Sequence, residues 1–286
     1  MHYSVMLPTV LEYLAPRPDG VYLDATAGLG GHAAAIARGL ESGKVIACDR
    51  DAESLALAAG NTAEWSARIW YRQARFSELG SALAACGVGK VAGLLADLGA
   101  SRYQLTDAER GFSFSTDGAL DMRMDRGRGL TAEELVNTVA EKALADLIFG
   151  LGQERRSRKI ARAIVRARPI RSTLHLASVV ERAAPRTGRL HPATQTFMAL
   201  RIAVNEEQPE LDSLLEAAPE LVESGGRIVI ISFMSLEDGK VKRSFQSLAR
   251  QGKVRILTKH VVRPSEEEVR LNAASRSAKL RAVEMS

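Results

Sequence analysis

The chain has little of what marks a secreted or membrane-spanning protein. Its 286 residues include two cysteines, Cys48 and Cys86, which lack the spacing of a metal or redox motif. No basic leader followed by an apolar stretch opens the sequence, and no apolar run approaches the roughly 18 residues that span a bilayer. We therefore expect a cytoplasmic protein with no metal site and no membrane association.

The composition leaves several function classes open. Apolar residues make up 46% of the chain and charged residues 26%, which is ordinary for a globular protein. The length allows one large domain or a core that carries a smaller insert. A formal net charge of +5 and a sequence pI near 9.3 favour a polyanionic partner such as nucleic acid. A charge this small is also typical of an ordinary solvated surface.

Two segments end apolar strands on turns that suit a ligand. LDATAGLGGH (23–32) passes from a strand into a helix through a glycine-rich turn, and LLADLGASRYQL (94–105) ends a later strand on Asp97. Ligands of open α/β sheets bind outside the carboxyl ends of the strands. Glycines let a ligand approach the backbone closely, and the start of a helix presents N–H groups without helical partners. The two turns together predict an enzyme that uses a nucleotide-like cofactor.

Asp49 narrows the class of cofactor. It ends the strand after the glycine turn, 25 positions after Asp24. In dinucleotide-binding folds an acid about 20 residues along accepts hydrogen bonds from ribose hydroxyls. The turn reads G-x-G-G-H and lacks the third glycine of the NAD fingerprint, so S-adenosylmethionine, which has no pyrophosphate, is favoured over NAD. NAD and a tight turn without any ligand both remain open at this point.

The order of strand and helix patterns predicts an α/β fold with an insert. Strand patterns occur at 21–26, 45–49, 69–72, 91–98, 227–233, 254–258 and 278–284. Helical patterns separate the first four strands, which indicates βαβ units and a parallel sheet. Helical segments alone fill the region from about 106 to 189. We expect a sheet core from residues 1–105 and 191–286 and an inserted all-helical domain from residues 106–190.

A concentrated basic segment lies between Gln153 and Arg171. It holds eight lysine and arginine residues and a single acid, Glu154, while apolar residues recur at helical spacing. The spacing predicts a helix from Glu154 to Ala167. Such a helix can neutralise phosphates, so its affinity for RNA should fall steeply with salt. A solvated basic face is the alternative. The candidate RNA-binding residues are Arg155, Arg158 and Arg162.

Six segments give the chain a resemblance to a known family. They are HYSVML (2–7), ADLGASRYQLTDAERGFSFSTDGALDMRMD (96–125), GQERRSRKIARAIV (152–165), HPATQTFMALRIAVNEE (191–207), ISFMSLED (231–238) and SRSAKLR (275–281). In this order they resemble the signatures of the bacterial 16S ribosomal RNA cytosine N4-methyltransferases, the RsmH or MraW family. The resemblance runs nearly from end to end, and the long second segment is its most specific part.

The resemblance implies a Rossmann-like class I S-adenosylmethionine methyltransferase sheet with an inserted helical domain. Its substrate would be a cytidine in 16S rRNA of the small ribosomal subunit, and the oligomeric state, monomer or homodimer, stays open. The implied cofactor-binding residues are Gly30, Gly31, His32, Asp49, Phe76, Asp97 and Gln104.

Three residues are candidates for contact or catalysis at the target base. Asp97, or backbone carbonyls of its turn, would hold the N–H of the weakly nucleophilic cytosine amine, although Asp97 as a cofactor ligand alone is an equal alternative. Tyr103 would stack on a base splayed out of folded RNA. His191 would contact substrate or cap a helix.

Departures from the family pattern leave two other functions open. Met234 stands where the family usually has histidine, and the segment after Phe245 is short and omits a basic loop. One alternative is a non-catalytic RNA-binding or assembly factor that keeps the methyltransferase fold. The other is a methyltransferase that acts on another RNA.

Overall fold

The computed structural model describes residues 4–186 and 191–286, which form two compact units. One unit comprises the chain up to Gly99 and from Gln208 onwards, and the other runs from Ala100 to Glu207. Two parts of the sequence interpretation lie outside the described residues: the start of HYSVML (2–7) and the end of the predicted insert at 187–190.

The first unit contains a seven-stranded sheet of order β3-β2-β1-β4-β5-β7-β6. The strands are β1 (Val21–Asp24), β2 (Lys44–Asp49), β3 (Ile69–Gln73), β4 (Val91–Asp97), β5 (Val222–Ser232), β6 (Val254–Ile256) and β7 (Lys279–Met285). Strands β1 to β5 pair in parallel, and β7 is antiparallel to both β5 and β6. The seven strands lie at the predicted positions, and β5 begins five residues earlier than predicted.

The helices of both units follow in chain order. They are α1 (Leu7–Leu14), α2 (Gly31–Arg38), α3 (Ala52–Asn61), α4 (Leu79–Ala84), α5 (Arg102–Thr106), α6 (Ala132–Thr138), α7 (Glu141–Gly152), α8 (Ser157–Arg166), α9 (Thr173–Ala183), α10 (Thr194–Val204), α11 (Glu207–Leu221), α12 (Ser235–Arg250) and α13 (Glu266–Leu271). The sequence patterns did not predict α1, α5, α12 or α13.

The central strand β4 explains why the sheet is covered on both faces. Its residues are apolar without alternation, as in parallel strands that are buried on each side. Leu94 and Ala96 enter one hydrophobic cluster, whereas Leu95 enters another on the opposite face. The sheet core therefore has two apolar layers, and polar side chains concentrate at the ends of the strands.

The helical unit has a core of its own. Ile148 of α7, Ile160 of α8 and Leu200 of α10 are fully buried in one hydrophobic cluster. Because α10 packs in this cluster, residues 191–207 belong to the helical unit, although the sequence pattern assigned them to the sheet core. The boundaries consequently lie near residues 99 and 207 and not at 105 and 190.

The basic helix α8 begins later than predicted. We expected a helix from Glu154, but Gln153 ends α7 with a positive φ of 55°. The Glu154 carboxylate is buried and accepts a hydrogen bond from the Arg156 N–H at 2.7 Å. This local turn separates α7 from α8, which starts at Ser157.

Candidate active site

The register of the sheet places three carboxylates on one face at the carboxyl ends of neighbouring strands. Asp24 of β1 pairs with Ala47 of β2 and with Leu95 of β4. Asp49 and Asp97 come two residues later on those two strands. Because side chains alternate between faces along a strand, all three acids share one face. Asp24 thus lies on the strand between the other two.

Burial makes these carboxylates unusually hard to ionise. The Asp24 residue is 0% exposed. Desolvation raises the pKa of Asp24 to about 7, that of Asp49 to about 6 and that of Asp97 to about 8. The value for Asp97 already includes the negative charges of Asp24 and Glu237, which raise its pKa together with burial. Among the described residues, Asp24 Oδ2 and Asp97 Oδ1 have no hydrogen-bond partner. The arrangement suits a ligand that brings positive charge.

Thr26 connects two of the acids. Its backbone N–H donates to Asp24 Oδ1 at 3.1 Å, and its hydroxyl oxygen accepts from the Asp97 N–H at 2.7 Å. The side chain therefore lies between the ends of β1 and β4. Sequence reasoning missed this residue, and the only signal was a hydroxyl two positions after a strand-ending acid.

The glycine turn follows directly after Thr26 and is fastened to β2. The Gly28 N–H donates to Asp49 Oδ2 at 2.8 Å, and Gly30 takes a φ of +88° as the residue before α2. A Cβ atom on Gly31 would lie 2.0 Å from Ser4 Oγ. The N-terminal segment therefore packs against the turn, and an alanine at position 31 would require the Ser4 side chain to change rotamer.

His32 joins the turn to the end of β4. The ring is 6% exposed, and its Nε2 lies 2.9 Å from the Val5 carbonyl oxygen. Because a carbonyl only accepts, Nε2 carries a proton. Its Nδ1 lies 4.0 Å from Asp97 Oδ2. The structure thus brings His32 and Asp97 together, with Val5 holding the ring in place.

Asp49 and Phe76 occupy the side of the site towards β3. The Asp49 oxygens accept from the N–H groups of Gly28 and Asp51 at 2.8 and 2.9 Å. Each oxygen keeps acceptor capacity for a hydroxyl. Phe76 begins a short 3-10 helix after β3 and lies half-buried against the core. The Phe76 ring therefore lies beyond the carboxyl end of β3, and β3 is the neighbour of β2, which ends at Asp49.

The end of β5 adds a fourth acid. Glu237, near the start of α12, is 3% exposed. Its Oε2 accepts from the N–H groups of Phe233 and Met234 at 3.2 and 3.1 Å. The family-like segment ISFMSLED contained this residue, but no spacing rule singled it out.

The remaining predicted cofactor and base contacts lie in the helical unit. Gln104 is 3% exposed and caps α5: its Oε1 accepts from the Ser101 N–H at 2.9 Å. Tyr103 is half-buried, with the Arg110 guanidinium carbon 5.8 Å from its ring centre. His191 Nδ1 accepts from the Ala193 N–H at 3.1 Å. Helix capping is therefore an observed role of Gln104. The His191 bond lies in the turn before α10, whose N-cap residue, Ala193, has no side-chain cap.

The cationic face of α8 is exposed. Arg155 precedes the helix, and Arg158 and Arg162 lie on its exposed side. Arg162 pairs with Glu141 at 3.3 Å, whereas Arg155 and Arg158 form no ion pair within 4–186 and 191–286. Arg168 instead donates to backbone carbonyls of the unit. Most of the predicted basic face is thus available to a polyanion.

Two absences apply to the described part of the chain. No group of three or more His, Cys, Asp and Glu side chains there could hold a metal ion. No helix there is long and apolar enough to cross a bilayer.

Comparison with known proteins decides the family. A model of the MraW methylase family matches residues 1–286. The chain belongs to the MraW methylase family. It is 62% identical over 285 residues to ribosomal RNA small subunit methyltransferase H of Solibacter usitatus, and the match covers 100% of both chains. The protein of the same name from Syntrophobacter fumaroxidans is 47% identical over 305 residues, which cover 99% of this chain and 96% of that one.

A solved structure of an rRNA methylase from Streptococcus thermophilus is also similar. The match covers 100% of this chain and 98% of that chain, with a TM-score of 0.46 and 11% identity. These values add nothing to the family assignment.

MraW methylases use S-adenosylmethionine, and the site fits such a group. The cofactor carries a sulfonium and an ammonium group, both positively charged. The partnerless oxygens of Asp24 and Asp97 can accept positive charge, and Asp49 has acceptor capacity for ribose hydroxyls. The class I methyltransferase fold predicted from sequence is confirmed.

Met234 gives this methylase a site without the usual family histidine. The residue precedes α12 and donates its N–H to Glu237. Its thioether has no proton to exchange, so residue 234 plays no part in proton transfer here. The acids at the strand ends are the remaining candidates.

Proposed function

We propose that this methylase transfers the methyl group of S-adenosylmethionine to N4 of a cytidine in 16S rRNA of the small ribosomal subunit, in the cytoplasm. The observation that carries the proposal is the set of three acids on one face beside a glycine turn, in a chain whose relatives are named ribosomal RNA small subunit methyltransferase H. Family membership makes the chain a methyltransferase.

The cofactor would be held from three sides. Asp49 accepts hydrogen bonds from the ribose hydroxyls, and Phe76 packs beside the adenine. Backbone atoms at Gly30 and Gly31, with His32, line the turn. When bound, the cofactor supplies a methyl group on a positively charged sulfur. Asp24 and Asp97 offset that charge in a setting where water is largely excluded. Gln104 remains a proposed contact from the helical unit.

Asp97 would act on the acceptor base. The lone pair of the cytosine amine is delocalised into the ring, so the base needs a group that holds its N–H and favours a pyramidal nitrogen. Without a ligand the pKa of Asp97 is about 8, so the acid is mostly protonated at neutral pH. The positive charge of a bound cofactor would lower this pKa and leave a carboxylate that can receive the proton and return it to water. Alignment of the nitrogen with the methyl group about 3 Å away supplies most of the remaining acceleration.

The RNA would be gripped by the helical unit. Arg155, Arg158 and Arg162 contact phosphates, which raises affinity without reading sequence. The target cytidine must leave the RNA stack to reach Asp97, and Tyr103 and His191 are the proposed contacts for its base.

One experiment tests the proposal. Small subunits that lack the modification are incubated with the protein and labelled S-adenosylmethionine, and the 16S rRNA is digested and mapped by mass spectrometry. We expect a single N4-methylcytidine. Cofactor and RNA binding without methylation would contradict catalysis and support a non-catalytic factor, and methylation of another RNA alone would contradict the substrate.

A further inference from the structure

The C-terminal segment of the chain, residues 239–286, carries more net charge than the whole protein. It contains twelve Lys and Arg residues against four Glu, whereas the complete chain has a net charge of +5. Three of the cations are neutralised by ion pairs. The pairs are Lys240 with Asp212, Arg255 with Glu284 and Arg281 with Asp238. This second concentration of cations lies in the sheet unit, apart from the basic helix α8.

The topology brings part of this segment to the edge of the sheet that holds the acids. β6 runs parallel to β5, so it ends at that edge, and β7 begins there because Lys279 pairs with Ser232. The chain between them returns to the same edge, where Val262 bridges to Leu280. Residues 257–278 therefore connect two strands at the carboxyl edge.

Helix α13 lies beside the segment that packs on the glycine turn. The Met6 N–H donates to Glu268 of α13 at 2.5 Å. The preceding residue, Val5, accepts the hydrogen bond from His32. On the other side, Lys279 Nζ lies 3.3 Å from Ser235 Oγ, next to the end of β5. The connecting segment thus borders the cofactor turn and the end of β5.

Five cations of this region, here called the edge cations, have no acidic partner among the described residues. They are Lys259, Arg263, Arg270, Arg276 and Lys279. All but Lys279 are exposed. The opposing charge, Glu266 to Glu268, is confined to the first turn of α13, where Glu268 is already bonded to Met6.

We propose that the edge cations bind phosphates of the RNA on either side of the target nucleotide. The sheet unit would then hold the substrate with a surface of its own, in addition to α8. Exposed cations beside the reaction site fit a phosphate backbone. Among residues 257–278, Leu271 is the one large apolar side chain that is exposed. The inference rests on the proposed function, because it takes RNA as the substrate.

The test compares two double variants of equal charge. Arg263→Gln with Arg276→Gln removes two edge cations. Arg250→Gln with Lys253→Gln removes two exposed cations from the end of α12 and the start of β6, at the opposite edge of the sheet. Binding of purified 16S rRNA is measured by filter retention over a range of KCl concentrations, and titration with S-adenosylmethionine checks that both variants are folded.

We expect the edge variant to bind rRNA about tenfold more weakly at low salt. Its slope of log affinity against log salt should be about 1.4–1.8 smaller, since each phosphate contact contributes about 0.7–0.9. The control variant should keep the slope of the wild type. Equal losses in both variants, or no loss in the edge variant, would overturn the inference. These measurements need no turnover, so failure of the wild type to methylate 16S rRNA would count against the proposed function separately.

Discussion

Replacing Asp97 by asparagine should stabilise the ligand-free protein at alkaline pH. Asp97 Oδ1 has no hydrogen-bond partner among the described residues, and burial with the charges of Asp24 and Glu237 raises the pKa of Asp97 to about 8. The folded state then binds a proton more tightly than the unfolded state. The stability that Asp97 contributes is present at acid pH and is lost as the pH rises from about 4 to about 8. Asparagine does not ionise, so its advantage grows over the same range.

The size of the effect follows from the pKa and the exposure of the side chain. A rise from 3.8 to about 8 corresponds to an upper limit of about 6 kcal/mol at about 1.4 kcal/mol per pKa unit. The Asp97 side chain is 21% exposed, and its ionisation is coupled to that of neighbouring acids. We therefore expect the D97N substitution to raise the free energy of unfolding at pH 9 by about 2 kcal/mol. This value agrees with the cost of about 1–3 kcal/mol for a buried polar group without a hydrogen-bond partner. The melting temperature should rise by about 4–8 °C.

Thermal unfolding followed by circular dichroism from pH 5 to pH 9 measures the difference between wild type and D97N. The matched control is D212N, which removes an exposed carboxylate that pairs with Lys240. D212N should give no gain at pH 9. A D97N gain that is absent at pH 9, or equal at pH 5 and pH 9, would refute the reasoning.

Three further predictions concern the strand-end acids, the glycine turn and the helical unit. Affinity for S-adenosylmethionine should rise between pH 6 and pH 8 in calorimetric titrations. The strand-end acids, with pKa values of about 6 to 8, must ionise to offset the positive charge of the cofactor. An affinity that does not change with pH would contradict this. Gly30→Ala should weaken cofactor binding about tenfold, since position 30 has a φ of +88° and its Cβ would lie 2.6 Å from Thr62 Cγ2. Gly60→Ala, in open space, should not weaken binding. Arg110→Met should destabilise the helical unit by about 3 kcal/mol in urea unfolding, because the carbonyls of Arg123 and Met124 lose their buried donor. A loss below about 1 kcal/mol would show that these carbonyls find other partners.

Much of the sheet could be predicted because its strands are short apolar runs that end on turn residues. β4 is apolar almost throughout, and so is the part of β5 from Ile228 to Ile231, as expected for strands covered on both faces. The helix α12 was harder to predict, because its sequence is mostly polar and contains Gly239 in its interior. The placement of α10 depended on which core its apolar face enters, and periodicity does not specify that.

The acids of the site were predictable one by one, but their assembly was not. Asp49 and Asp97 each follow an apolar strand. Their shared face with Asp24 depends on the register between strands. The bond between Thr26 and Asp97 joins residues 71 positions apart, so no local pattern indicates it. Glu237 acts on Asp97 through its charge across the ends of two strands, which again requires the folded sheet.

The most direct test of the central claim is methyl transfer by the Asp97→Ala variant under single-turnover conditions, with cofactor binding measured on the same sample. The account predicts a rate at least about a hundredfold below wild type, within the range for loss of a general base, and an intact fold by circular dichroism. Methyl transfer at the wild-type rate in a variant that binds S-adenosylmethionine normally would contradict the role of Asp97.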